Sequence, residues 1–432
     1  MGNQSATYGI FNAVMSAHKN HKVRKNVQRS NQSSRNLNEC AVDIANVFQS
    51  NFPVGNVMFS GDDFNLRNEV IVEASMTAFF NGSPVIIIHS SNNNLNSMLE
   101  LNLGNKLTEF GLAPPPYGAP YDPLKGYSDQ ESINNILRSS SGIVDIKGPG
   151  VYYLEGITRF IRSKGVVPYL MMYLTCPHAF INDKVLEAQI NGYLTQKDAT
   201  EILTYISQGE SEKSNIELFF RIINQQLGPT IANKSNLGYS ESIRSAVSKG
   251  SVVSFNLSSY VNQASLNILL TEIDSLVSKG LKPLIIFDDV KHASSGMVKE
   301  FISRSGVDYY VFVSSSDTYS SLDSDEGLFK SFTSSCTHLI ITHHGSRISC
   351  QRMSELTGEY DKTEINLAYN DTTHRMNIFT IIPGTANTVT QNLIKSREAV
   401  VKQEEISNLG NREAVLVIND GFNDGIWKVR CN

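Results

Sequence analysis

From Asn56 onward, apolar runs of strand length alternate with stretches of helical periodicity. Asn56–Ser60 reads as a short buried strand and Gly61–Asn65 as a polar turn. Leu66–Phe80 then reads as a helix with Val70, Ile71, Ala74 and Ala78 on one side. Pro84–Ile88 is a β-branched strand. Strand, turn, helix and strand in that order form the smallest unit of a parallel sheet, because parallel neighbours need a long crossover and a helix is the usual one. Leu95–Gly111 reads as a helix stopped by its glycine, and the prolines at 114–116 and at Asp122-Pro123 predict an extended loop after it.

Between about Tyr152 and Leu227 the strand signals vanish, and the spacing of Leu154, Ile157, Phe160 and Ile161, then of Ile216, Phe219, Phe220 and Ile223, predicts helices. Strand character returns at Gly250–Phe255, Lys282–Phe287, Tyr309–Val313 and His338–Thr342, with a helix over Gln263–Lys279 and later strands at Ile378–Ile382 and Ala414–Ile418. The pattern predicts an α/β fold with a mainly parallel central sheet, interrupted by an all-helical insertion. The expected organisation is an N-terminal arm over 1–45, a core over 46–149 and 236–432, and the insertion over 150–235. No internal repeat is present.

At 432 residues and 41% hydrophobic content the chain can bury sizeable cores, so disorder throughout is excluded. Its longest apolar runs are strand-sized and fall short of the roughly 20 residues a membrane-spanning helix needs. The start Met1-Gly2-Asn3-Gln4-Ser5 lacks the charged and apolar regions of a secretory signal, so a cytoplasmic location without a membrane span is expected. Five scattered cysteines without C-x-x-C spacing indicate neither a disulfide framework nor a zinc site. The net charge of −5 gives no general attraction to nucleic acid, but His18–Arg35 is basic and free of acids. It reads as a solvated arm, with contact to DNA or another partner left open.

Several short segments share an order. Ser83–Ser90, with its apolar strand ending in His89-Ser90, is followed by Tyr121-Asp122-Pro123-Leu124, the helical insertion, the strand Ser251–Leu257, and the acid-ended strand Pro283–Asp289. Phe301–Val307, Ser354–Gly358 and Ile406–Ala414 come after it. In content and order this set resembles the motor domain of type IV secretion coupling proteins, the TraG/TraD family within the HerA and FtsK group of P-loop ring ATPases. The resemblance covers about Pro53 to the C-terminus. It implies a RecA-like P-loop NTPase core, a ring-forming oligomer (hexameric in this group), and transfer-system proteins as partners.

In that resemblance the phosphate-binding loop falls on Gly61-Asp62-Asp63-Phe64-Asn65-Leu66-Arg67-Asn68. A working loop is G-x-x-x-x-G-K-[ST]: backbone N–H groups cradle phosphate, the lysine reaches the β and γ phosphates, and the hydroxyl holds Mg²⁺. Only Gly61 is retained. Leu66 replaces the second glycine, Arg67 presents a planar fork where a compact ammonium belongs, and Asn68 offers a carbonyl in place of the hydroxyl. Asp62 and Asp63 add like charge where a triphosphate would sit, costing on the order of 4 kcal/mol for one pair about 4 Å apart at an effective dielectric of 20. The same acids suit a helix N-terminus and are expected to cap it instead.

Asp288 and Asp289 occupy the positions of the Mg²⁺-holding acid and of the acid that polarises water, with Asp289 one methylene shorter than the usual glutamate. The family's phosphate-sensing glutamine has no counterpart in Val311–Asp317. Arg304 lies where a ring neighbour would offer an arginine finger; a structural role is the alternative. Thr342-His343-His344, with His338 and His374, lacks acids or cysteines at ligand spacing, and adjacent strand residues point to opposite sides, so no metal site is expected. No cofactor is therefore expected, with ATP and Mg²⁺ as the ligands should the site be competent. Three readings follow: a coupling-protein-like subunit with a weakened or inert ATPase site, an active DNA-translocating ring, and a nucleic-acid-binding module acting through the basic arm.

Overall fold

The computed structural model describes residues 21–42, 55–90, 92–111, 118–257, 263–290, 296–322, 324–372, 386–419 and 424–431. The strands in chain order are β1 (Leu37–Val42), β2 (Asn56–Ser60), β3 (Val85–Ser90), β4 (Leu107–Gly111), β5 (Val252–Leu257) and β6 (Leu284–Asp288). They continue with β7 (Tyr310–Ser315), β8 (Cys336–Ile341), β9 (Glu359–Thr372), β10 (Ala386–Ala399), β11 (Glu413–Ile418) and β12 (Gly425–Cys431). Ten of them form one sheet in the order β1-β12-β11-β8-β2-β7-β6-β3-β5-β4, and β9 and β10 form a separate antiparallel ribbon. From β8 to β4 every pairing is parallel; β11 runs antiparallel to both β8 and β12.

Parallel strands covered on both faces must be apolar throughout, and β2, β3 and β6 are buried along nearly their whole length. Alternation sorts their side chains between two cores. Val57, Phe59, Ile87 and Ile286 pack with Leu66, Val70 and Ile71 of the first core helix, α1 (Phe64–Phe80), on one face. Met58, Ile86, Ile88 and Ile285 pack on the other face, in a core that continues through the helix Gln263–Val277 into the helical stretch. Burying one such side chain contributes about 1.5–3 kcal/mol.

All regular elements between Asp129 and Ser248 are helical. Helical character therefore begins about twenty residues before the expected insertion boundary, and its core is continuous with that of the sheet.

Two local expectations are corrected. Gly104, in the left-handed region (φ 51°), ends the second core helix, α2 (Asn93–Leu103), and Leu107–Gly111 is the edge strand β4 rather than more helix. Backbone hydrogen bonds offered by β5 decide that outcome, and helical periodicity in a short apolar segment does not reveal them. The N-terminal segment is not a free arm in its described part, because residues 21–35 form a helix and β1 pairs in parallel with β12. That helix turns Val23, Val27, Asn31 and Arg35 toward the protein, and the Asn31 amide both donates to the Thr363 carbonyl (2.8 Å) and accepts from its N–H (2.9 Å). The expected strand Ile378–Ile382, His374 and the proline-rich loop at 114–116 lie outside the described residues.

Candidate functional site

The C-terminal ends of β2, β7, β6 and β3 lie side by side, at the edge where open α/β sheets form their ligand crevice. Directly after β2 comes the turn Gly61–Asp63, and α1 starts at Phe64, so Asn65, Leu66, Arg67 and Asn68 are helical. The expected turn through Asn65 is thus shorter than predicted. Gly61 is required sterically: its φ is 138°, and a Cβ would lie 2.0 Å from Thr342 Oγ1.

The amides of this turn are committed inside the protein. Gly61 N–H donates to the Ser315 carbonyl (3.1 Å) and Asp62 N–H to that of His343 (3.0 Å). Asp63 is the N-cap of α1, its Oδ1 accepting from Leu66 N–H at 3.0 Å. Its other oxygen accepts from Arg412 N–H at 2.8 Å. The Arg412 guanidinium grips both oxygens of Glu69 (2.9 and 2.8 Å), fastening the turn to the segment that precedes β11. Leu66 is fully buried in the core between α1 and the sheet.

Arg67 and Asp288 meet in the crevice floor. The Arg67 Nε lies 3.2 Å from Asp288 Oδ1, with side-chain exposures of 4% and 0%. The Phe64 ring covers the guanidinium, 5.0 Å from its carbon. Asp288 also accepts from Ser314 Oγ (2.7 Å) and from Asn92 Nδ2 (2.7 Å), and Asn92 Nδ2 donates further to Asn68 Oδ1 (2.8 Å). Asp289 adopts a left-handed backbone (φ 49°) with its N–H on the Ser314 carbonyl.

Beside Asp288, His89 is buried and neutral. Its Nδ1 accepts from Asn92 N–H (3.2 Å), which assigns the proton to Nε2, facing Asn96 Oδ1 at 2.9 Å. Burial lowers its pKa despite the opposing pull of Asp288 and Asn96. Asn96 in turn accepts from Ser254 Oγ and donates to Glu109, whose carboxyl burial pushes up. A hydrogen-bonded polar band therefore runs from β7 to β4.

Sequence reasoning did not identify Asn92, Ser314 or Arg412. Asn92 could have been found as the Asn preceding a helix, a capping signal, and its side-chain oxygen does accept from Leu95 N–H.

Arg304 ends a helix on the opposite edge of the sheet, before β7, and is paired with Asp274 (3.1 Å), Glu300 (3.2 Å) and Asp308 (3.6 Å). It therefore does not reach the crevice of its own chain. His343 and His344 diverge: His343 Nδ1 lies 3.3 Å from Asp62 at the surface, whereas His344 is 2% exposed and held neutral by burial. Among the described residues, no group of three potential ligands is placed to hold a metal.

The arrangement does not fit a triphosphate with its Mg²⁺. The Gly61, Asp62 and Leu66 amides serve protein oxygens, a carboxylate caps the helix start, and the acid that would hold the metal is ringed by an internal cation and two donors.

No protein-family model matches the sequence, and no curated protein matches it. Among solved structures, the bacterial conjugative coupling protein TrwBdeltaN70 matches at 14% identity over 91% of this chain and 92% of its own, with a TM-score of 0.50. The chain has the fold of a conjugative coupling protein. TrwB in complex with ADP and Mg²⁺ matches at 13% identity over 91% and 93% of the two chains, with a TM-score of 0.49. VirB4 of Thermoanaerobacter pseudethanolicus matches at 9% identity over 90% and 92%, with a TM-score of 0.46. No helix among the described residues is long and apolar enough to cross a membrane.

Proposed function

We propose that this chain is a coupling-protein-like subunit of a DNA or protein transfer system of the type IV secretion kind, one that keeps the ring-ATPase fold to bind partners or substrate and does not turn over ATP. The observation that carries the reading is the crevice itself, in which Asp63 stands where phosphate would meet the helix and Arg67 stands against Asp288. Restoring a nucleotide there would require replacing these internal contacts, and truncating one partner of a buried ion pair costs about 3–5 kcal/mol. Phosphate release from ATP, measured on purified protein with and without DNA, is expected to stay at background. DNA-stimulated turnover lost in Asp288→Asn would overturn the reading in favour of an active translocase.

A second contact is supported by the N-terminal helix. Lys22, Lys25 and Arg29 lie on its exposed face, and none forms an ion pair among the described residues. They suit the phosphates of nucleic acid, whose binding must weaken steeply with salt. Replacing all three with glutamine is expected to abolish any salt-dependent DNA affinity; unchanged affinity would remove this contact from the account.

A further inference from the structure

The ribbon of β9 and β10 is a sheet of its own, tied to the body near its base. Val400 N–H donates to the Gly358 carbonyl (2.9 Å), and Asn31 of the N-terminal helix pairs with the Thr363 backbone. Between that helix and the ribbon stem lies an open groove of about 700 Å³, with Arg24, Gln28 and Arg35 on the helix side and Tyr360, Lys362 and Lys402 on the other. Its acids are engaged: Glu398 lies against Lys402 (2.8 Å) and Lys362 (3.4 Å), and Glu405 against Arg35. Arg24, like Lys22, Lys25 and Arg29 beside it on the helix, forms no ion pair among the described residues.

Strand alternation carries this face outward along the ribbon. Tyr360 is opposite Glu398 and Lys362 opposite Ser396. After Glu364 and Ile394, the same face continues through Asn366 with Asn392, Ala368 with Thr390, and Asn370 with Thr388. These outer positions are uncharged, and all but Ala368 are of a type that carries an amide or a hydroxyl. Ile365, Leu367, Tyr369, Val389 and Leu393 hold register positions on the opposite face.

We propose that the face carrying Asn366, Asn370 and Asn392 reads duplex DNA, the ribbon lying in the major groove while the cations of the N-terminal helix hold the flanking phosphates. The proposal rests on the helix contact with nucleic acid given above, and adds to it a second element and a class of target, double-stranded DNA containing A·T pairs.

The dimensions agree. The major groove of B-DNA, about 12 Å wide and about 8.5 Å deep, admits a two-stranded ribbon. From Glu364 to Thr372 the ribbon runs about 27 Å, the rise of roughly eight base pairs. The chemistry agrees as well. Cations on phosphates position a protein along the duplex, and hydrogen bonds and apolar contacts in the groove tell one base from another. Asparagine matches the adjacent acceptor and donor of adenine, threonine serves either kind of base, and the methyl of an alanine suits that of thymine. With no Lys or Arg among its outer positions, this face contributes discrimination, and the helix contributes affinity.

Other nucleic acids fit less well. Single strands are held largely by bases stacked on aromatic rings, and Tyr360 is the one aromatic residue among the register positions of this face. Duplex RNA hides its base edges in a major groove too deep and narrow for side chains to read.

Fluorescence anisotropy of the full-length protein, with duplexes that differ only in central A·T or G·C content, tests the assignment. The wild type is expected to prefer the A·T duplex. Asn366→Ala/Asn370→Ala/Asn392→Ala should lose about tenfold or more of that preference and keep the salt dependence, whereas Lys22→Gln/Lys25→Gln/Arg29→Gln loses binding to both duplexes. If the glutamine variant fails to bind but the alanine variant matches the wild type on both duplexes, the helix contact stands and the ribbon proposal falls. If the wild type shows no salt-dependent binding, both fall. Replacing the central adenines with 7-deazaadenine removes the N7 acceptor from the groove without touching the protein, and so decides the matter even where a variant does not fold. Weaker binding by the wild type is the expected result, and unchanged binding overturns the proposal.

Discussion

The Arg67 guanidinium stands 3.2 Å from the Asp288 carboxylate, with both side chains withdrawn from solvent at the crevice floor. A cation supplied by the first core helix thus stands against the acid that ends β6. An ion pair of this kind is retained because each member needs the other. Arg67→Met is expected to destabilise the protein by about 3–5 kcal/mol, since it strands a buried carboxylate, while the double variant Arg67→Met/Asp288→Asn recovers much of that loss. A double-mutant cycle by chemical denaturation measures the coupling, and additive single effects would deny it.

The two neighbouring acids of the turn are expected to behave differently. Asp63 caps α1 and anchors Arg412, so Asp63→Ala should cost about 1–2 kcal/mol. Asp62, with its side chain 53% exposed and facing His343, should tolerate alanine within about 0.5 kcal/mol. Thermal denaturation of the two variants gives the comparison; equal losses would contradict these assignments.

Gly61→Ala should be among the most damaging single-methyl additions in the chain. The new Cβ would meet Thr342 Oγ1 at 2.0 Å and the backbone of His343 at 2.9 Å, at a φ that L residues rarely adopt. The backbone conformation alone costs of order 1–3 kcal/mol, and the collision adds to it. A melting temperature within a degree of wild type would show that the turn is free to rearrange.

Three buried histidines set a common acid limit. His89, His178 and His344 all have pKa values lowered, chiefly by burial. Their neutral forms contribute stability that is fully present above the ordinary value of 6.5 and is lost as pH falls below it, because the unfolded chain then takes up protons that the folded chain refuses. The melting temperature should therefore drop between pH 7 and 5, with a shallower slope in His89→Gln. An unchanged slope would place the acid sensitivity elsewhere.

Much of the fold was legible because parallel strands buried on both faces carry apolar runs, as Val57–Phe59, Val85–Ile88, Leu284–Phe287, Tyr310–Val313 and Leu339–Ile341 do. Apart from β4, read as helix, the strands that escaped notice are of another kind. β1, β9, β10 and β12 carry polar residues throughout, and their pairing depends on partners far away in sequence, as in Leu37 with Ile426. That Gly61–Asn68 follow one strand and Asp288 ends another was legible in the sequence, and the structure brings Arg67 and Asp288 together there. The contributions of Asn92, Ser314 and Arg412 were not, because each acts through a contact made only once the sheet has assembled.

Calorimetric titration of the purified protein with ATP and Mg²⁺ addresses the closed crevice most directly. No saturable heat up to millimolar nucleotide is the predicted result, for wild type and Arg67→Ala alike. Saturable binding in the wild type that disappears in Arg67→Ala would contradict it, since that arginine would then be gripping phosphate rather than Asp288.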